Sequence, residues 1–479
     1  MIYKKFKLTA LSWLVLLLAA LILTACGAAT NTPAPATTAP VNPATATNPP
    51  ATIGQTAPTT TAPQPTATTA APQPTATTAP KPTNTLAPTI APALPPVGNN
   101  YPAGPAPTPL APSRGAKQIT LQVPDNLRQG VFSQNRNLTV PNGFTVSLYA
   151  KMEGKVRMLD YSPDNILFAS EQNGGRIVRV LDRNGVGERV VFAQGLNTPH
   201  GLAFHTVGTQ TYLYVAENDK VSRFTYTPGQ ERAGEKQVIV PNLPSGGSHV
   251  TRTLAFGKDG KMYVSIGSTC NVCEEADKRR AAIVQYNADG TGEKLYAEGL
   301  RNGVGITIHP ETGELWETEN GRDSLGDDMP PEEINIITKE GQHFGWPYCY
   351  SNQVFDRSYG RRDQAFCNTT ISPALPMQAH SAPMGIEFYY ANQFPEEYRG
   401  DAFVAFRGSW NRSEKTGYKV VRIHVENGRP TKYEDFLTGF LVGENSWGRP
   451  IDPIVAPDGS LLLSDDTANV IYKITYTGN

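Results

Sequence analysis

The residues with most to offer chemically are histidines and arginines that recur at one position of a repeated pattern. They are Arg157, His200, His249 with Arg252, Arg301 with Asn302, His380 with Ser381, and Arg449. Each stands ahead of, or at the start of, a short run of alternating apolar residues. Guanidinium groups gathered round one opening suit an anionic ligand, and an imidazole among them can take a proton near neutral pH. The plainer alternative for any one of them is a side chain that ties down neighbouring carbonyls and carboxylates. For the set as a whole, a pocket is the better reading.

What must bring them together is the repeat. One unit, an apolar strand, a Pro/Asp/Gly-type turn and a second apolar strand, starts near Arg157, His200, Arg252, Val304, Met384 and Ile451. Third strands follow, as at Arg176–Val180, Tyr418–Arg422 and Val470–Ile474. Short alternating strands broken by Gly, Asp and Asn turns form antiparallel meanders, and no long amphipathic helix interrupts them. Six such units predict an all-β, six-bladed β-propeller. An open pair of packed sheets would not need six copies. An early strand, Phe144 to Ala150, is placed to complete the last blade. The innermost strand of a blade lines the central channel, so the residues preceding it belong at the channel mouth.

The propeller is expected over residues 118–479, and the preceding chain has a different character. Lys4, Lys5 and Lys7, an apolar run from Leu8 to Leu23 and the sequence Leu23-Thr24-Ala25-Cys26 read as a secretory signal over residues 1–25. The ending resembles a bacterial lipobox, which implies that Cys26 carries lipid and anchors the protein to the cell membrane on its outer side. Residues 26–117 are rich in Ala, Thr and Pro, with no charged residue from Gly27 to Pro80 and a nonapeptide repeated at Ala62 and Ala71. So few large apolar side chains cannot offset the entropy of ordering, and a disordered stalk is expected. A formal net charge of −1 argues against nucleic acid as a partner. Four cysteines remain in an oxidising compartment, so Cys270 is expected to pair with Cys273 and Cys349 with Cys367.

Several short motifs occur in a fixed order: Gly-Leu-Arg301-Asn302, Glu319-Asn-Gly321-Arg322-Asp323, Glu333-Ile-Asn, Gly345-Trp-Pro, Gly408-Ser-Trp-Asn-Arg412 and Trp447-Gly-Arg449-Pro. Together they resemble the glucose/sorbosone dehydrogenases that use pyrroloquinoline quinone, over about Val140 to Tyr476. The resemblance implies oxidation of an aldose or related sugar by hydride transfer to the quinone, with Ca2+ as second cofactor and the electron acceptor unknown. It makes His249 the general base. It places calcium on the backbone carbonyls of Gly321 and Arg322. Arg301, Asn302, His380, Arg407 and Arg449 fall around the tricarboxylated cofactor. Two departures stand out. Ile166 occupies the position where glucose-oxidising members carry a Gln near the active site, and Arg407 stands where relatives have His or Lys. The acidic run Asp323, Asp327, Asp328, Glu332 and Glu333 reads as a solvated loop.

Two other functions suit such a ring. A calcium-dependent propeller lactonase would need carboxylate and Asn side chains converging from several blades, whereas this mouth is rich in Arg and His. A non-catalytic carbohydrate-binding propeller would neither bind the quinone nor turn over a sugar.

Overall fold

The computed structural model describes residues 104–478. The signal segment, Cys26 and most of the expected stalk lie outside the described residues. Among the described residues six four-stranded antiparallel meanders account for most of the strand structure. Their inner strands are Val156–Tyr161, Leu202–Val207, Arg252–Phe256, Gly303–Ile308, Pro383–Phe388 and Pro450–Val455. Each inner strand packs against the next, and the sixth returns to the first, so the ring is closed. The seam is made as the sequence predicts. Phe144–Lys151 pairs antiparallel with the last strand, Val470–Tyr476, as the outer strand of blade 6.

The hairpins joining inner and second strands follow one local recipe. Ser162–Asn165, Gly257–Gly260 and Ala456–Gly459 each bend so that the fourth residue's N–H bonds back to the first residue's carbonyl, at 2.9, 2.9 and 2.8 Å. That fourth residue has positive φ, 60°, 74° and 81° at Asn165, Gly260 and Gly459, a conformation that Asn and Gly tolerate best. At the other end of the blade a second regularity appears. Glu171, Glu217, Glu319 and Asp465, all buried, close the second strands of blades 1, 2, 4 and 6. Each accepts a backbone N–H from the loop that enters its blade's inner strand: from Glu153, Asn197, Asn302 and Arg449, at 2.9, 2.6, 3.1 and 2.9 Å. These carboxylates fix the loops at the channel mouth.

Phe144 packs edge-to-face on Phe394, Tyr398, Phe436 and Tyr476, welding blades 5 and 6 at the seam. Such pairs add about 0.5–1.5 kcal/mol each beyond area burial. The long gap between the fourth and fifth repeats is an insertion that ties blade 4 to blade 3, because Gln342–His343 pairs parallel with Lys294–Glu298. Cys349 and Cys367 are disulfide-bonded within it, and Cys270 with Cys273 beside the channel mouth. Ordered contacts begin upstream of the expected 117/118 border. Ala116–Thr120 pairs with Asn137–Pro141, and Leu110 exchanges backbone hydrogen bonds with Tyr433 and Asp435 of blade 5.

Candidate functional site

Because inner and second strands run antiparallel, two sets of residues share the mouth: those before each inner strand and those after each second strand. A cleft of about 660 Å³ opens there. The first set contributes Arg157, His249, Arg301, Asn302 and Ala382. The second set contributes Gln172, Asn271, Asn320 and Gly321, Arg407 and Asp466. His380 also lines the cleft, its Nε2 2.8 Å from the Gly326 carbonyl.

His249 is half-buried, and its protonation follows from its partners. Nδ1 lies 3.0 Å from the Ser268 carbonyl and 2.9 Å from Ser268 Oγ. The hydroxyl proton of Ser268 goes to the Cys270 carbonyl, at 2.7 Å. Nδ1 therefore faces only acceptors and carries the proton, which leaves Nε2 with a free lone pair at the cleft. Burial, then the charges of Arg301, Arg280 and Arg252, push the imidazole down to about 3. The loop carrying His249 is held from behind, since Arg252 Nη1 donates to the His249 carbonyl at 3.0 Å. Opposite, Gly267 lets the strand end approach closely: a Cβ there would lie 2.7 Å from His249 Cβ and 2.5 Å from Asn302 Oδ1.

Arg301 lines the cleft, yet all five of its N–H groups are directed at the protein. Nε and Nη2 donate to the carbonyl and side-chain oxygens of Asn271, at 3.0 and 3.1 Å. Nη1 donates to the carbonyls of Asn320 and Gly321, at 3.0 and 2.8 Å. The second Nη2 proton meets Asp323 Oδ2 at 2.9 Å. Arg301 thus fixes the carbonyl edge after the second strand of blade 4. Asn271, inside the Cys270–Cys273 loop, is its counterpart, and it also accepts the N–H of Asp323 at 2.8 Å.

On the opposite side Asp466 binds Arg157 Nη1 at 2.6 Å and Arg407 Nε at 3.0 Å. Burial pushes the Asp466 carboxyl up, but the two guanidinium groups outweigh it and hold the acid below its ordinary value. Among the described residues Nε alone of Arg407 is engaged, so its terminal nitrogens remain for a ligand. Lys155, exposed at the cleft with no ion pair or hydrogen bond from its ammonium among the described residues, adds a second available cation. Sequence reasoning missed Lys155, Gln172, Asn271 and Asp466; three of these follow the second strand of a repeat, a position the register itself marks.

Other expected residues lie elsewhere. His200 is fully buried beneath the cleft, with Nδ1 3.2 Å from the Arg252 carbonyl and Nε2 3.2 Å from Arg157. Arg449 stands at the mouth but turns to Tyr418, donating to its hydroxyl at 2.9 Å. The Arg322 side chain leaves the cleft to pair with Asp356 and Ser358, so only its backbone remains near Gly321. Ile166 sits in the turn at the other end of blade 1, in a separate hollow with Tyr149 and Asp458. The residue facing the cleft from blade 1's second strand is Gln172. The acidic run is a solvated loop only in part, since Asp328 is exposed and Asp323 and Asp327 are partly so. Glu332 and Glu333 are buried, and burial pushes them up to about 7 and about 8. Glu332 accepts the N–H of Gly321 at 2.7 Å.

The arrangement offers a neutral base, two available cations and a polar edge of oxygen donors around one open cleft. Comparison with known proteins gives the family and the fold. An uncharacterized protein of Borreliella burgdorferi is 34% identical over 351 residues, covering 71% of this chain and 91% of that one. The pyrroloquinoline quinone-dependent pyranose dehydrogenase of Coprinopsis cinerea is 23% identical over 406 residues, 70% of this chain and 54% of that longer protein. The solved holo form of its quinone domain superposes with a TM-score of 0.61 at 23% identity, covering 74% of this chain and all of that one. A calcium structure of a Trichoderma reesei enzyme of carbohydrate-active family AA12 gives 0.60 at 22% identity, covering 70% and 96%. The TrAA12-like family model matches residues 138–476, most of the chain and all six blades, and the protein belongs to that family.

Proposed function

We propose that the protein is a quinone-dependent sugar dehydrogenase that oxidises an aldose or related sugar at the channel mouth. The observation that carries this reading is His249. Its Nδ1 is committed to Ser268, its Nε2 is free at the cleft, and it stays neutral at physiological pH. Such a group can take the proton of a sugar hydroxyl as the carbon beneath it is oxidised.

The residues present fit the cofactors named by the relatives. The Arg407 terminal nitrogens and Lys155 suit the carboxylates of pyrroloquinoline quinone. The Gly321 carbonyl, which retains a lone pair beside its bond to Arg301, and the nearby Asp323 carboxylate are hard oxygen donors of the kind calcium takes. Pyrroloquinoline quinone with calcium supplies, when bound, the two-electron acceptor for the hydride leaving the sugar carbon. Arg301, its own donors all engaged, holds the Gly321 edge in place, and Asp466 aims Arg407.

The test is reconstitution of the purified protein with the quinone and calcium, offering aldoses with an artificial electron acceptor. Reduction of the acceptor is expected, and His249→Ala abolishes it while quinone binding persists. No quinone binding and no turnover across aldoses would sink the reading. The working position proposed from the N-terminus is outside the membrane, tethered through Cys26; Cys26→Ala should move the protein from the membrane fraction to the soluble one.

A further inference from the structure

The residues from Gly408 to Gly417 leave the top of blade 5 after Ala402–Phe406 and return through a narrow neck. A Cβ on Gly417 would lie 2.8 Å from Gly408 Cα. Ser409 N donates to the Thr416 carbonyl and Thr416 N to Ser409 Oγ, both at 2.9 Å, and Tyr418 OH donates to the Ser409 carbonyl at 2.6 Å. The crown is tied on both flanks. Asn411 donates to Asp323 at 2.9 Å, Arg412 pairs with Asp328 at 3.0 Å, and Ser413 N donates to Asp327 at 3.0 Å. Lys415 N reaches Glu444 of the blade 6 loop at 3.3 Å.

The exception is Trp410. It lines the cleft, yet it is 75% exposed, the most exposed large hydrophobic residue among those described. Its indole makes no hydrogen bond or ring contact among the described residues. A loose loop would let so large an apolar surface fold back onto the protein. This loop is fastened at its neck and along its crown, so the indole is kept out over the cleft. His249 reaches the cleft from blade 3, and the loops of blade 4 stand between it and Trp410.

We infer that Trp410 is a stacking platform for a second pyranose ring, so that the substrate is the end unit of an oligosaccharide or longer glycan. The apolar C–H face of a pyranose matches the indole, and its hydroxyls stay in the water of the open cleft. This inference rests on the sugar-oxidising reading for the identity of the reacting ring, but the platform can be tested without it.

The loaded enzyme is assayed with glucose, maltotriose and cellotriose, and its apo form is titrated with the same sugars by tryptophan emission. Trp410→Ala is expected to lower kcat/KM for at least one trisaccharide about tenfold through KM, the scale of losing one aromatic anchor. Glucose should change less than twofold, and Trp410→Phe should retain most of the preference. The apo protein should show a saturable emission change with that trisaccharide that Trp410→Ala lacks. Equal losses on glucose and trisaccharides, an unchanged preference, or no saturable emission change would overturn the inference. So would a weakened quinone affinity in Trp410→Ala, which would put the quinone on the indole instead. If the loaded parent oxidises no sugar while the emission change persists and depends on Trp410, the dehydrogenase reading fails and the glycan platform stands.

Discussion

Gly267→Ala probes the site without touching any group that performs chemistry. Gly267 lies outside the left-handed φ region, so alanine is allowed there on backbone grounds. The added methyl would start 2.7 Å from His249 Cβ and 2.5 Å from Asn302 Oδ1, against ordinary contact from 3.4 Å. Asn302 can absorb part of its share by rotating its amide. His249 cannot, because Cβ is one bond from its backbone, so the loop must retreat by about 0.7 Å, a displacement near the 1 Å scale that costs about a hundredfold in rate. A loss of about ten- to hundredfold in kcat/KM is expected, with a stability cost of about 1–3 kcal/mol for the overpacking. The assay is steady-state turnover of the reconstituted enzyme beside thermal unfolding of the apo form. Gly234→Ala is the control, since only Thr225 Oγ1 comes within reach there, at 3.9 Å. A Gly267→Ala enzyme that folds and turns over within twofold of the parent would refute the claim that the position of His249 limits the reaction.

With His249 held near 3, its base form persists on acidification, so kcat/KM should show no loss from this group between pH 8 and pH 5; a limb centred near 6.5 would mean that the imidazole is unshifted in the working enzyme. Arg407→Met should weaken quinone binding about tenfold or more, by loss of charge-assisted bonds, measured by titration of the apo protein. The fold should survive, because Arg157 still pairs with Asp466. Glu171→Ala removes a fully buried carboxylate shared by Arg176 and Arg189 and by the backbone N–H groups of Glu153 and Gly154. About 3 kcal/mol of stability should be lost, read as a lowered denaturation midpoint; a change under 0.5 kcal/mol would contradict the proposed anchoring of the mouth loops.

The architecture was legible because six copies of one pattern average out the ambiguity of any single strand. The seam strand was legible for a related reason, as an unpaired apolar alternation ahead of the first repeat. Half of the site was visible too, since residues preceding an inner strand must reach the mouth. Its other half follows the second strands and needed the antiparallel geometry to be taken one step further, which would have found Gln172 and set Ile166 aside. Side-chain direction was beyond reach. Arg449 stands beside the mouth, but Tyr418, thirty-one residues before it, draws its guanidinium group away. Likewise nothing local says that Asn271, Asn320, Gly321 and Asp323 together exhaust the donors of Arg301.

The seam strand makes the first-synthesised edge of the propeller wait for the last. Among the described residues Phe144–Lys151 finds its antiparallel partner only in Val470–Tyr476, so a nascent chain exposes an unpaired apolar edge almost to completion. Such edges recruit other chains. A premature stop before Val470 would remove far more than a few C-terminal residues: it would open the ring and undo the mouth, where blade 6 contributes Asp466. The cleft is therefore complete only once the whole propeller has been synthesised and closed.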